Sequence, residues 1–346
     1  MFPQGLRVIF RPIPLDFPIV HIILAIEFGS SDDGDRFGLA HLIEHIIVRH
    51  YLADVPEVQA ATGRDRTTFK ITVREDKFPS IVSRLLNVLH PLEYIGRQVL
   101  FEERKIVEQE INERRNTMSW QTREDMLTLI WKGTTYAHSS LGSAFSLSTI
   151  TPSTVIDTQR LFYRVSNAVL IIVASERVKQ RYITFEEPCS LDNRETGLHL
   201  PTVPIMMPFR SLQNKGVTSV LFWHDKVPHV ILPQLVNGFR MLRIAHIPIL
   251  GGWLNWARVS GTDDLVSVLT DRIEYLASEY AKDSFLSDHF FNRIFLQQKR
   301  RNESFEYVGQ EALNELWTGD ESRSDIESLD ASIEGWRTSV RSLIEG

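Results

Sequence analysis

The length, composition and charge of this 346-residue chain already limit what it can be. The length exceeds one ordinary hydrophobic core, so two domains are expected, and 43% hydrophobic with 24% charged residues is typical of a globular protein. A net charge of −6 gives no sign of the basic surface typical of nucleic-acid-binding proteins. The single cysteine, Cys189, excludes an intramolecular disulfide.

Strands and helices alternate through the first half of the chain. The strands predicted from β-branched, apolar or alternating segments are Leu6–Pro12, Ile19–Phe28, 67–73 and Ala168–Ala174. The helices predicted from apolar spacing are Gly38–Tyr51, Lys77–Leu89, Tyr94–Met118 and one that begins near Ile150. Thr151 or Ser153 is the candidate N-cap of the last of these helices.

The composition changes between residues 185 and 208, where four prolines occur with little periodicity. We therefore predict a domain at 1–185, a linker at 186–208 and a second domain at 209–346. In the second domain the predicted strand is Val217–Trp223, and the predicted helices are Leu232–His246, Leu265–Lys282, Phe290–Leu316 and Ser328–Ile344. The expected fold class is α+β, with two such units in tandem.

Neither export nor membrane insertion is expected from the sequence. The N-terminal residues lack the basic stretch, apolar run and small-residue cleavage site of a secretory signal. The longest apolar runs, such as Ile19–Ile26, have the length of a strand and not of a membrane span. The expected location is the cytoplasm, with no membrane and no nucleic-acid partner. Cys189 is interpreted as a bystander thiol and not as a nucleophile.

The chemistry is concentrated in the segment His41-Leu42-Ile43-Glu44-His45. On a helix, residues i and i+4 stand on one face, so two imidazoles at this spacing can share one Zn²⁺. Glu44 lies beside them, where a carboxylate can act as the general base of a metallohydrolase. Eleven histidines give only about 0.04 such motifs by chance. The apolar neighbours predict a mostly buried helix, and burying these three polar side chains together calls for a compensating partner such as a metal.

A third protein ligand is needed to complete a catalytic zinc site. The charged helix predicted at Tyr94–Met118 offers Glu103, Glu108 and Glu110, and bulk properties alone do not choose among them. One alternative is that the glutamates of this helix are simply exposed to solvent. Another is a purely structural zinc site, but such a site would give the base-like Glu44 no purpose.

Several segments resemble the pitrilysin-like M16 zinc metallopeptidases, the family with the inverted His-x-x-Glu-His motif. The opening Gln4-Gly-Leu-Arg-Val8 and the approach Gly38-Leu-Ala-His41 are similar to the family's own. The segment Gln59–Phe69 resembles its substrate-pairing edge strand, although Gln59 replaces an Asn and Phe69 replaces a Tyr. The segment from Glu103 to Ile111 resembles its Glu-x6-Glu-Ile signature.

The resemblance implies a fold, a zinc site and an activity. The fold would be two tandem domains like those of pitrilysin and the mitochondrial processing peptidase, each an antiparallel-rich sheet with helices on one face. His41, His45 and Glu110 would hold Zn²⁺, with Glu103 behind them and Glu44 as the catalytic base. An extended peptide substrate would pair with the edge strand. The substrate-binding residues would be Gln59, Ala60, Ala61 and Thr62.

The second half resembles the family's inactive tandem domain more weakly. Active members carry an Arg/Tyr pair that helps to bind the substrate carbonyl. Here Arg243 matches the Arg, but no Tyr follows it, and Arg243 is at least as readily a surface or structural residue. The resemblance therefore implies an endopeptidase subunit whose homologous partner chain supplies the pair in a heterodimer, with a homodimer as the second choice. Leader removal from a small precursor peptide is a candidate role, and a non-catalytic assembly subunit is the alternative function.

Overall fold

The computed structural model of the protein describes residues 2–14, 17–117, 120–121, 124–125, 127–128, 131–183, 210–214, 218–225, 240–249, 252–260 and 304–318. Two compact units divide the chain, one formed by Met1–His199 with Arg301–Leu313 and the other by Leu200–Arg300 with Asn314–Gly346. The predicted linker lies outside the described residues, and the predicted domain boundaries stay predictions. The return of 301–313 to the first unit was not predicted.

A five-stranded mixed sheet organises the first unit. Its strands are β1 (Arg7–Pro12), β2 (Ile19–Ile26), β3 (Gln59–Thr62), β4 (Thr67–Arg74) and β5 (Ala168–Ala174). Their order across the sheet is β1-β5-β2-β4-β3, so that β3 lies at one edge. β1 and β5 run parallel and every other neighbouring pair is antiparallel. β5 is buried along its whole length, as its uninterrupted apolar sequence predicts for a central strand covered on both faces.

Six α-helices of the first unit have both of their ends among the described residues up to 183. They are α1 (Leu39–Ile47), α2 (Phe78–Leu86), α3 (Arg97–Arg115), α4 (Ala144–Thr149), α5 (Pro152–Phe162) and α6 (Glu176–Tyr182). A π-helical turn, Val48–Leu52, extends α1. The hydroxyl of Thr151 accepts the backbone N–H of Thr154, so Thr151 and not Ser153 is the N-cap of α5.

Alternate residues of the sheet face the main core. Ile22, Leu24 and Phe69 are fully buried in the same cluster as Leu42 and Val107 of α1 and α3. This cluster fixes the two helices that carry the motif residues against one face of the sheet, because apolar surface is most stable when it is removed from water.

The opposite face of the sheet is covered as well, by the first turns of α7 (Phe305–Thr318). A Cβ placed on Gly309 would lie 2.9 Å from Cδ1 of Ile23 and 3.3 Å from Cγ2 of Val173. Nζ of Lys70 donates a hydrogen bond to Oε1 of Gln310 at 2.6 Å. The prediction of helices on one face only is therefore wrong for this sheet, since its second face is also apolar and needs a cover.

A four-stranded antiparallel sheet forms the part of the second unit described between residues 210 and 260. Its strands are β6 (Arg210–Asn214), β7 (Thr218–Asp225), β8 (Arg240–Ile249) and β9 (Gly252–Ser260), in the order β6-β7-β9-β8. The predicted strand at Val217–Trp223 coincides with β7 in its described residues. The predicted helix at Leu232–His246 is wrong from Arg240 onward, where β8 pairs with β9.

Strand pairing explains why that helix prediction failed. Strand β8 pairs with β9 from Arg240 to Ile249, past the predicted helix end at His246. Its β-branched Ile244, Ile247 and Ile249 favour a strand, and Pro248, two residues beyond the predicted end, cannot continue a helix. Of the helix predicted at Phe290–Leu316, the structure describes α7, and the rest lies outside the described residues. The helices predicted at Leu265–Lys282 and Ser328–Ile344 lie there too. The α+β class is confirmed, and a second unit that repeats the first stays a prediction.

Candidate metal centre

Helix α1 holds the two histidines and the glutamate of the motif at the boundary of the core. Its apolar side chains are buried, and they anchor the helix against the sheet. His41 and Glu44 are only 5% and 6% exposed, so both side chains are withdrawn from water. The rings of His41 and His45 lie edge to face with centroids 4.8 Å apart, as expected for side chains one helical turn apart.

Glu110 of α3 reaches the same point as the two imidazoles. Its Oε2 atom lies 3.5 Å from Nε2 of His41 and 3.7 Å from Nε2 of His45. Metal-ligand atoms of His41, His45 and Glu110 all lie within 4.8 Å of one another. Among the residues that the structure describes, these three form the one such group of histidine, cysteine or acidic side chains. Glu108 is not part of it and instead faces Lys105, at 3.5 Å.

Glu103 contacts the other side of the His45 ring. Its Oε2 atom is 3.5 Å from Nδ1 of His45, while its Oε1 accepts a 2.8 Å hydrogen bond from Arg49. Glu103 is 5% exposed, two helical turns before Glu110 on the same face of α3. Arg49, which also binds Glu102 at 2.7 Å, was not singled out from the sequence, because its contact depends on how α1 and α3 cross.

Glu44 is held from the side of the sheet. The hydroxyl of Thr62, the last residue of β3, donates a hydrogen bond of 2.5 Å to Oε2 of Glu44. Burial raises the pKa of Glu44, and His41, Thr62 and His45 offset part of that shift. The imidazoles of His41 and His45 hold the pKa of Glu110 well below its usual range. The carboxyl group of Glu110 is thus favoured as an anion facing the histidines, whereas that of Glu44 has a raised pKa.

The start of α1 is fixed by Asp33, a residue that the sequence placed only in a loop. Its carboxylate accepts the backbone N–H groups of Gly38 at 2.7 Å and Ala40 at 2.8 Å. An acidic group here satisfies donors that the first turn leaves free and complements the helix dipole. Sequence signals for caps concern the residue next to the helix, and Asp33 is five residues from Gly38.

Gly38 is required by this arrangement. It adopts φ of 95°, a conformation that favours glycine, and a Cβ on it would lie 2.8 Å from the carbonyl oxygen of Leu141. The ring of His138, in the same loop as Leu141, stacks on the ring of Phe37 with their centroids 4.3 Å apart. The loop at 138–142 therefore packs directly on the approach to the motif helix.

The segment predicted as one edge strand, Gln59–Phe69, is a hairpin. Only β3 lies at the edge of the sheet, and Thr67–Phe69 belong to β4, which is interior. The reason is the turn at residues 63–66, where N–H of Gly63 binds the carbonyl of Arg66 at 2.8 Å. Gln59 and Ala61 are exposed, whereas Ala60 and Thr62 are half-buried. The backbone edge of β3 thus runs beside α1 and ends at the Thr62–Glu44 contact.

Two other residues noted in the sequence lie away from this group. Arg243 is on β8 of the second unit, opposite Arg258, and its role stays open. Cys189 lies outside the described residues. No helix in the described part of the chain is both long and apolar enough to cross a membrane.

Comparisons with known proteins identify the fold. The sequence matches no protein-family model and no curated protein. The structure, however, is similar to a protein assigned as an M16-like peptidase from Alicyclobacillus acidocaldarius, with a TM-score of 0.66 and 16% identity over 97% of this chain and 92% of that one. A protease from Helicobacter pylori gives a TM-score of 0.69 and 15% identity, covering 98% and 94%.

The periplasmic protease PqqL from Escherichia coli gives a TM-score of 0.62 and 14% identity, over 98% of this chain and 45% of that one. Identities this low establish the fold alone. The resemblance that the sequence predicted is confirmed at that level, and this chain has the fold of the M16-like peptidases.

Proposed function

We propose that this chain is a zinc-dependent endopeptidase that hydrolyses bonds within an extended peptide. The observation that carries the proposal is the convergence of two imidazole nitrogens and one carboxylate oxygen, from His41, His45 and Glu110, beside the buried Glu44. Three protein ligands that leave a further position open are the usual ligand set of catalytic zinc.

The two distances from Glu110 to the imidazoles are longer than direct hydrogen bonds and close to those expected around a shared ion. The separations of 3.5 and 3.7 Å from Glu110 to the imidazoles exceed the range of roughly 2.7–3.2 Å in which N–H groups bind oxygen. A tetrahedral ion with bonds of about 2.1 Å holds its ligand atoms about 3.4 Å apart. Glu103 would fix the tautomer and orientation of His45 through Nδ1, as partners of metal-bound imidazoles commonly do.

The chain's own residues supply the proton transfers. When bound, Zn²⁺ would act as a Lewis acid that polarises the scissile carbonyl and acidifies the attacking water. Glu44 would take a proton from that water and pass it to the leaving amine, so that water adds across the C–N bond and yields one acid and one amine.

The edge strand β3 is the proposed substrate platform. Its partner on one side is β4, and no described strand pairs with its other side. An extended peptide that paired there through Gln59–Thr62 would run along the strand whose last residue, Thr62, contacts Glu44. Such a site favours unfolded segments, which can adopt a strand, over folded proteins.

A partner chain completes the proposal. Because no Tyr follows Arg243, we propose that a homologous chain supplies the Arg/Tyr pair in a heterodimer, with a homodimer as the second choice. Leader removal from a small precursor peptide, in the cytoplasm, is the role we would test first.

The test combines metal analysis with peptide cleavage. The purified chain should contain about one zinc per chain. Together with a co-expressed homologous chain, or as a homodimer, it should cleave unfolded casein or quenched fluorescent peptides, and Glu44→Gln should retain the zinc but lose cleavage. Assays over a range of protein concentration separate a homodimer, whose specific activity rises with concentration, from a chain that needs a co-expressed homologue. If zinc is bound but Glu44→Gln cleaves as fast as the wild type in every format, the mechanism is wrong. If no format cleaves peptides, the non-catalytic subunit becomes the better function.

A further inference from the structure

The hydroxyl of Thr62 connects the edge strand to the carboxylate of Glu44. An ionised carboxylate only accepts hydrogen bonds, so the hydroxyl of Thr62 is the donor in its 2.5 Å contact with Oε2 of Glu44. The hydroxyl of Thr67 is farther away, with its Oγ1 3.5 Å from Oγ1 of Thr62, and it donates its own proton to the carbonyl oxygen of Phe28 at 3.0 Å.

This contact gives the two carboxylate oxygens of Glu44 different roles. Oε2 is occupied by Thr62, and within the described residues no hydrogen bond is recorded for Oε1. A carboxylate restrained at one oxygen cannot rotate freely about its terminal bond, so the other oxygen keeps a fixed direction. Fixing a reacting group in its productive orientation is a large contribution to catalysis.

We propose that Thr62 is a positioning residue that aims Glu44, an inference that rests on the proposed function. Thr62 is also the last residue of the strand proposed to pair with the substrate, opposite Thr67 in the register of β3 and β4. A peptide that docks on β3 therefore adds to the same strand that holds the base. Strand β3 thus places both the substrate backbone and the base, so their relative position does not depend on a mobile loop.

The competing explanation is that Thr62 merely satisfies a buried carboxylate and so contributes to stability. Thr62→Val removes the hydroxyl and keeps the shape, whereas Thr62→Ser keeps the hydroxyl. Thr68→Val is the matched control. Thr68 is 6% exposed, is the next residue along the chain from Thr67 and therefore points to the opposite face of the sheet. Its hydroxyl donates only to the carbonyl of Ala61, at 3.4 Å.

The experiment measures kcat, KM, zinc content and thermal midpoint for the wild type and the three variants, together with crystal structures of the wild type and Thr62→Val. We expect Thr62→Val to lower kcat about 10- to 100-fold, the loss expected for a hydrogen bond to a charged group, with KM within about twofold and zinc content unchanged. Thr62→Ser should recover most of kcat, and Thr68→Val should match the wild type. In the crystal structure of Thr62→Val, the Glu44 carboxylate should occupy a different or a second rotamer.

Three results would overturn the inference. These are an unchanged kcat in Thr62→Val, a loss in Thr62→Ser as large as in Thr62→Val, and a Glu44 carboxylate that keeps its position without the hydroxyl. A wild type that cleaves nothing, either alone or with a co-expressed homologous chain, would instead refute the proposed function. The crystal structures would still decide whether Thr62 sets the direction of Glu44.

Discussion

Glu103 and Glu110 contact the same imidazole from opposite sides: Oε2 of Glu103 is 3.5 Å from Nδ1 of His45, and Oε2 of Glu110 is 3.7 Å from its Nε2. The seven-residue interval between the two acids is two turns of α3, which brings both carboxylates to one face. Arg49 holds the far oxygen of Glu103 at 2.8 Å. A line of contacts thus runs from Arg49 through Glu103 to a proposed metal ligand.

The first prediction concerns Arg49. Replacing it with Met removes the guanidinium and keeps an apolar stem, so Glu103 loses its orienting partner. We expect zinc affinity to fall about 10-fold, at the lower end of the 10- to 100-fold losses typical of residues behind metal ligands, and Glu103→Gln to cost as much or more. Competition with a chromophoric chelator measures both. Arg84→Met is the control, because Arg84 pairs with Asp54 in an exposed contact. Equal affinities for Arg49→Met and Arg84→Met would contradict the prediction.

The second prediction separates the ligand from its neighbours on α3. Glu110→Gln removes the anionic ligand. Zinc affinity should therefore fall by more than about 100-fold, the largest loss typical of mutating a residue that only contacts a ligand. Glu108→Gln should leave affinity within about twofold, because Glu108 faces Lys105 and not the histidines. Zinc content after dialysis against a weak chelator gives the ranking. Equal zinc retention in the two variants would refute Glu110 as a ligand.

The sequence was most informative where the chemistry is local. The spacing of His41, Glu44 and His45 fixes their common face through helix geometry alone, and their apolar neighbours predict burial that the structure confirms. The same geometry places Glu103 and Glu110, two helical turns apart, on one face of α3. Proximity of α1 to α3, by contrast, depends on tertiary packing, and only the resemblance to a family pointed to Glu110.

Apart from the local Asp33 contacts at the start of α1, the contacts that the sequence could not predict join distant segments. Thr62 meets Glu44 because β3 is the strand at the sheet edge beside α1, and a residue pattern does not encode that order. The approach of Gln310 to Lys70 spans 240 positions in the sequence. Strand β8 was taken for a helix because pairing with β9 overrides a weak local preference.

The third prediction concerns the anchor of α1. Asp33→Ala leaves the N–H groups of Gly38 and Ala40 without their acceptor in a buried position, and we expect the free energy of unfolding to fall by about 2 kcal/mol. Chemical denaturation followed by circular dichroism measures the change. Asp35→Ala, at an exposed position of the same loop, should change stability by less than about 0.5 kcal/mol. Similar losses in the two variants would show that the Asp33 carboxylate does not cap α1.

The last prediction concerns pH and His21 of β2, which lies beneath α7. Burial lowers the pKa of His21 from 6.5 to about 4, a shift that Glu306 opposes and Lys70 reinforces. The ring is 4% exposed, and its Nδ1 lies 2.8 Å from Oγ1 of Thr72. Between these two pKa values the unfolded chain binds a proton that the folded chain does not, so stability should fall as the pH drops from 6.5 towards 4.

The full effect of this shift is about 3 kcal/mol, and His21→Phe should remove it because phenylalanine does not titrate. Measured between pH 7 and pH 4, the unfolding free energy of the wild type minus that of this variant should fall by about 3 kcal/mol as the pH drops, whatever the difference is at pH 7. Other groups titrate in both proteins alike, so the difference between the two curves isolates His21. Parallel curves would mean that His21 keeps an ordinary pKa and that α7 does not shield it from water.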